Sequence, residues 1–205
     1  ARREQIKIVI ALGSHRYMTE DEMRERVGVL SLVYDREADE YRWAEVRRVW
    51  ARAELDSRSN LFSSVGIGAR GVTFTLRRRS GLDLHHAFAW RGRHCFLTAI
   101  LPDGEDRGYQ TVKAALCQVR QCQKDADKDP AGSRFPGVLT EKYVGHDQPD
   151  IHGEVTTDYV LVTPKSVTLA PGSWVTVDGA YYRVLEPHTL DEWKNEFEVR
   201  RREDC

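Results

Sequence analysis

The chain has 205 residues, with 40% hydrophobic and 31% charged residues and a formal net charge of −1. This composition is typical of a folded globular protein, and the near-neutral charge argues against a general polyanion binder, so any contact with nucleic acid must come from a local basic patch. The longest apolar run near the start, residues 8–12, is far shorter than the roughly 20 residues of a membrane helix, so we expect no contact with a membrane.

Residues 1–24 are expected to form an N-terminal arm. Two segments favour short helices: residues 19–26, where Thr19 and Glu22 have the spacing of a capping box, and residues 39–48. Alternating apolar and polar residues then predict strands at 28–34, 47–54, 72–79, 87–90, 95–100 and 108–118, the last with a helical alternative over 109–124. This layout predicts a small barrel or sandwich over residues 25–120.

The second half is also expected to be rich in strands. Residues 121–136 are polar, contain two prolines and are interpreted as a linker, which leaves residues 137–205 as a second small β-rich module. Its predicted strands are 158–163, 173–177, 180–186 and 192–200. Asp178-Gly179 is a strong hairpin signal, and the order of hairpin, loop and strand after it parallels the one after Gly92. The parallel indicates either a faint duplication of one β unit or two unrelated meanders.

Residues 66–71 match the glycine fingerprint of dinucleotide-binding folds. That motif requires a helix after the glycines, because the helix N-terminus holds the pyrophosphate. The following residues, from Val72 on, alternate as a strand, so we expect a loop there and no bound nucleotide. The predicted fold class is therefore mainly β, a small barrel or sandwich with a long inserted loop, followed by the second module.

No group of residues has the arrangement of a catalytic or metal centre. His85 and His86 are adjacent, and neighbouring residues on a strand point to opposite faces. Cys117 and Cys122 do not have the spacing of a zinc knuckle, so the four cysteines are interpreted as reduced, partly buried thiols. We expect no enzyme, no cofactor, no metal and no small-molecule substrate.

Four segments of the first part carry a resemblance to a known family. They are VWARAE at 49–54, VTFTLR at 72–77, SGL at 80–82 and AWRGRHCF at 89–96. Together, over roughly residues 25–120, they resemble the head-tail joining proteins of tailed bacteriophages, also called head-closure, stopper or adaptor proteins. The C-terminal half has no counterpart in that family that we can place.

The resemblance implies a small β-barrel that assembles as a homo-oligomeric ring in the virion neck, with the host cytoplasm as its location during assembly. The implied partners are other copies of the chain, the portal-side adaptor and tail proteins, and packaged double-stranded DNA in transient contact. The loop from Asp56 to Arg70 would face the channel or a partner. Its candidate contact residues are Asp56, Arg58, Asn60, Phe62, Gly66, Gly68 and Arg70.

Arg77 and Arg79 share one face of a predicted strand, where two guanidinium groups could meet phosphates or acidic side chains. The alternative role for this basic strand face is a charged edge that prevents unwanted strand pairing. An alternative function also stands: a cellular β-rich binding module that recognises protein or nucleic acid through this basic face.

Overall fold

The computed structural model describes residues 23–56, 70–78, 81–102, 108–124, 133–141, 158–189 and 191–202. In these ranges the chain forms strands and no helix, which confirms the predicted mainly β class. No helix that could cross a membrane is found among them. The strands are β1 (Glu25–Asp35), β2 (Glu40–Leu55), β3 (Gly71–Arg77), β4 (Ala87–Trp90), β5 (Arg93–Pro102), β6 (Tyr109–Cys117), β7 (Arg120–Lys124), β8 (Arg134–Glu141), β9 (Asp158–Pro164), β10 (Trp174–Val177), β11 (Ala180–His188) and β12 (Lys194–Arg201).

The strands pair into two closed sheets of six antiparallel strands each. In the first closed sheet the order is β1-β4-β5-β6-β3-β2, and β2 pairs back to β1. In the second closed sheet the order is β7-β10-β11-β12-β9-β8, and β8 pairs back to β7. Because each sheet is closed, every one of its strands is paired on both sides along at least part of its length. A single parallel bridge, Glu40 to Arg134, joins the two sheets.

The second closed sheet repeats the first in order and in register. The β4–β5 hairpin pairs Phe88 with Cys95, and the β10–β11 hairpin pairs Val175 with Tyr182. The second strand of each hairpin has an irregular register at the same place. It lies between Leu97 and Ala99 on β5 and between Val184 and Glu186 on β11. The duplication suspected from the two hairpins therefore extends to all six strands of each sheet.

The two hairpin turns are matched in their backbone. Arg91 and Gly92 have φ of 50° and 73°, and Asp178 and Gly179 have φ of 50° and 85°. Two consecutive positive φ angles are typical of the tight turn whose twist matches the flanking strands, which confirms the hairpins predicted at both places.

Each closed sheet encloses its own apolar core, and the duplication exchanges large and small residues between the two cores. In the first sheet Phe74 on β3 pairs with Val112 on β6; in the second, Leu161 on β9 pairs with Phe197 on β12. All four side chains are fully buried. The two interiors are thus both fully apolar at these places although the residues differ in size.

Several predictions about local structure were wrong. Residues 39–48, interpreted as a short helix, belong mostly to β2, which pairs with β1 from Glu40 to Ala51. The helical alternative over 109–124 is replaced by β6 and β7. Residues at both ends of the predicted linker 121–136 lie in β7 and β8, because these two strands complete the second closed sheet. Tryptophans in strands are usually buried, but Trp50 on β2 is 52% exposed and the Arg26 guanidinium lies over its ring.

Candidate partner-contacting surfaces

The long connection between β2 and β3 is anchored at both ends. The Asp56 backbone N–H donates to the carbonyl of Gly71 at 2.9 Å, and Thr73 Oγ1 donates to Asp56 Oδ1 at 3.2 Å. At the other end, the carbonyl of Arg70 accepts a bond of 2.9 Å from the Leu116 N–H. Arg58, Asn60, Phe62, Gly66 and Gly68 lie outside the described residues.

The glycine-rich run leads into a strand, as expected. Gly71 is the first residue of β3, which is paired with β2 and with β6. A strand presents no row of converging N–H groups to a pyrophosphate, so this position lacks the geometry of the nucleotide fingerprint.

The predicted basic strand face is only partly described. Arg77 is exposed at the end of β3 on the outer side, because Leu76 beside it points into the core. Arg79 lies outside the described residues. The outer face of β3 continues through Thr73 and Thr75, both half-buried, so one cation here stands at the end of a polar strand face.

The two closed sheets contact each other through an apolar cluster. The first sheet contributes Phe96 from β5 and Ala115 from β6, and the second contributes Val138, Val160 and Val162 from β8 and β9. All five side chains are buried although they point away from their own cores. Sequence reasoning missed this contact. Its signal is the continuous apolar run within these strands, which is typical of strands covered on both faces.

Aromatic rings border this cluster on the side of the first sheet. The Trp43 ring centroid lies 5.2 Å from that of His94 and 6.2 Å from that of Phe96. His94 Nε2 is buried and has no hydrogen-bond partner among the described residues. Because burial disfavours the charged imidazolium, it lowers the pKa of His94 to about 4.

Polar contacts flank the cluster at the tip of the β1–β2 hairpin. The Arg134 N–H donates to the Asp39 carbonyl at 3.1 Å, and Ser133 Oγ donates to Asp39 Oδ1 at 3.3 Å. Asp39 also accepts a bond from Tyr34 and has a positive φ of 48°. The hairpin tip of the first sheet is therefore fixed against the start of β8.

A cleft of about 510 Å³ lies beside this contact. Its walls include Tyr41 and Trp43 from the first sheet and Trp193 from the second, and His85 packs edge-on against Trp193 at 4.8 Å. Lys165 Nζ donates to the carbonyls of Thr189 and Asp191 at 2.6 and 2.5 Å. The described lining contains no carboxylate, so it provides no paired acid and base.

A comparison with protein-family models and with curated proteins finds no match for this chain.

The described thiols are not poised for chemistry. Cys95 and Cys122 are buried and Cys117 is half-buried, and all three are free. Burial raises the pKa of each thiol to about 12, so the nucleophilic thiolate is disfavoured. Cys205 lies outside the described residues.

One group of side chains has donor atoms close enough for a divalent cation. Glu186 and His188 on β11 and Glu198 on β12 each place one donor atom within 4.8 Å of the others. His188 Nε2 lies 3.3 Å from Glu198 Oε1, a distance that a simple histidine–carboxylate pair also explains. The adjacent histidines behave differently, since His86 Nδ1 lies 2.8 Å from Asp83 while His85 packs on Trp193.

Proposed function

We propose that the chain is a structural protein of a tailed-bacteriophage virion that closes the DNA-filled head and joins it to the tail as a homo-oligomeric ring around the DNA channel. The proposal joins the resemblance of residues 25–120 to the head-tail joining proteins with the way the two closed sheets meet. The strands of the first closed sheet contain three of the four resembling segments, at 49–54 in β2, 72–77 in β3 and 89–96 in β4 and β5.

The observation that carries the proposal is that the two sheets contact each other through different faces. The first sheet uses the outer face of β5 and β6, whereas the second uses that of β8 and β9, whose counterparts in the first sheet are β2 and β3. A contact between non-equivalent faces is heterologous, and repeated heterologous contacts form a ring when the rotation between copies closes and an open filament when it does not. The chain thus contains one instance of the kind of contact that a ring requires.

Two further features fit a structural role. The connection between β2 and β3 recurs between β8 and β9, so each sheet carries a long excursion at the same point of its topology. Among the described residues, the buried thiols and the scattered histidines form no nucleophile–base pair within hydrogen-bonding distance.

The experiment that tests this function uses the phage whose genome encodes the chain. Deleting the coding sequence should yield DNA-filled heads and separate tails, and supplying the protein in trans should restore joined particles. Immunogold labelling should place the protein at the neck of complete virions. Normal virions from the deletion strain, or label on the capsid or tail tube alone, would contradict the proposal.

A second candidate is a cellular module that binds protein or nucleic acid through a basic strand face. The exposed Arg77 and Arg78 at the end of β3 favour it. Titration of the purified protein with labelled duplex DNA at several salt concentrations separates the two, because phosphate contacts give a steep dependence on salt. Micromolar affinity that falls steeply with salt, from a protein that forms no ring, would favour the second candidate.

A further inference from the structure

Because the second sheet repeats the first, each outer face of one sheet has an equivalent face in the other sheet. Arg183 and Arg200, paired across β11 and β12, occupy the places that Phe96 and Ala115, paired across β5 and β6, occupy in the first sheet. Tyr181 likewise takes the place of His94. The face that is apolar and covered in the first sheet is therefore polar and exposed in the second.

On the opposite face the buried apolar residues belong to the second sheet, and the first sheet has polar, half-buried residues at the same places. Arg52 and Thr75, paired across β2 and β3, occupy the places of Val138 and Val162, paired across β8 and β9. Thr73 takes the place of Val160. Both halves of the internal contact thus have a counterpart that the internal contact leaves unused.

We propose that these two unused faces bind each other between copies of the chain. The β11–β12 face consists of Tyr181, Arg183 and Arg200, and the β2–β3 face consists of Arg52, Thr73 and Thr75. The β11–β12 face of one copy contacts the β2–β3 face of the next, which repeats between chains the contact that each chain already makes within itself. This inference rests on the proposed ring function and names the surfaces that build the ring.

The chemistry of the two contacts matches their different lifetimes. The internal contact is permanent, since a covalent chain joins its halves, and permanent interfaces are the more apolar ones. A contact between copies must stay open until assembly. Exposed apolar faces would cause the copies to associate before then. Replacing valine, phenylalanine and alanine by arginine and threonine meets that requirement.

The carboxylates of the β11–β12 face argue against DNA and for a second copy as its occupant. Arg200 is held by Asp158, with Nε 2.9 Å from Oδ1, and the outer side of the same two strands carries Glu186 and Glu198. A phosphate backbone would meet these carboxylates together with the arginines. The β2–β3 face also carries both signs, since Arg52 forms an ion pair with Glu54.

The test is a pairwise cross-link between chains. In a background with Cys205→Ser, Arg183→Cys and Thr75→Cys are introduced singly and together, and the folded proteins are treated with a short bismaleimide. The matched control carries Arg93→Cys and Thr168→Cys, two exposed positions outside both faces. The native described thiols are buried or half-buried, so labelling should be restricted to the new sites.

On a denaturing gel, the double variant should give a ladder of cross-linked multimers. Each single variant and the control should stay monomeric. A mixture of the two single variants should give a cross-linked dimer and nothing larger. A cross-linked dimer from Arg183→Cys alone would mean that like faces meet, and would overturn the inference. So would rings, seen by electron microscopy, that give no ladder. Protection of Arg183→Cys by duplex DNA without any ladder would assign the face to DNA. A wild-type protein that never self-associates would instead refute the ring function.

Discussion

The contact between the two closed sheets should weaken as the pH falls, because it holds His94 in its neutral form. Burial lowers the pKa of His94 from 6.5 to about 4, so the unfolded chain binds more protons than the folded chain between these values. Stability that is fully present above pH 6.5 is therefore lost progressively between pH 6.5 and about 4. Each pKa unit corresponds to about 1.4 kcal/mol, which gives a loss of at most roughly 3–4 kcal/mol.

His94→Phe isolates this effect. Phenylalanine keeps an aromatic ring beside Trp43 and does not titrate, and His94 Nε2 has no described partner to lose. The free energy of unfolding of both proteins is measured by urea titration at several pH values from 7.5 to 4.5. We expect the difference between the variant and the wild type to grow steadily in favour of the variant below pH 6.5, since all other titrating groups are common to both.

Two parallel curves across this range would refute the reasoning. Such a result would mean that the imidazole reaches water in the folded state, and that the packing of Trp43 and Phe96 around it does not exclude solvent. A difference that shrinks as the pH falls would require a partner that stabilises the charged form.

Three further predictions follow from burial. Gly137→Ala should destabilise the protein by about 1–3 kcal/mol in chemical denaturation, because the added Cβ would lie 2.9 Å from two buried neighbours. Gly28→Ala should change stability by less than about 1 kcal/mol, because the atom nearest to its added Cβ is the end of an exposed glutamate side chain. Cys95 and Cys122 should resist Ellman's reagent in native buffer and react only in denaturant; rapid native labelling of either would contradict their burial. Lys165→Met should cost about 1–3 kcal/mol, because its ammonium bonds two backbone carbonyls; an unchanged unfolding midpoint would show that water replaces it.

The strands were predictable where alternation and turn chemistry act locally. Val72, Phe74 and Leu76 alternate with polar residues, and the structure buries all three in β3. Asp178-Gly179 marked its hairpin because few residue pairs adopt two positive φ angles at low cost. The same turn after Trp90 uses Arg91, an uncommon residue for that geometry, and only Gly92 marked it.

The errors arose where a segment forms a strand because of its pairing partner and not because of its own composition. The segment at 39–48 has the composition of a short helix, yet its pairing with β1 draws it into a strand. Pro136 gave the start of β8 the character of a linker, although β8 pairs there with β7. The next residue, Gly137, is glycine because Cys122 and Leu161 fill the space beside it. These constraints come from the closed sheet and leave no local signal.

The candidate surfaces were less predictable than the fold. The sequence identified the two ends of the long connection and the basic end of β3, but not which outer faces of the sheets meet. Phe96 and Val162 both lie in apolar runs, and nothing local says that they pack together. Only the matched registers of the two sheets show which faces correspond, and that correspondence requires the structure.

Electron microscopy of the purified wild-type protein, with two-dimensional class averages, tests the ring most directly. We predict closed rings of uniform diameter with an open centre, in which each chain contributes two similar lobes. Particles that remain single two-lobed chains at every concentration, or that grow into open filaments, would contradict the account.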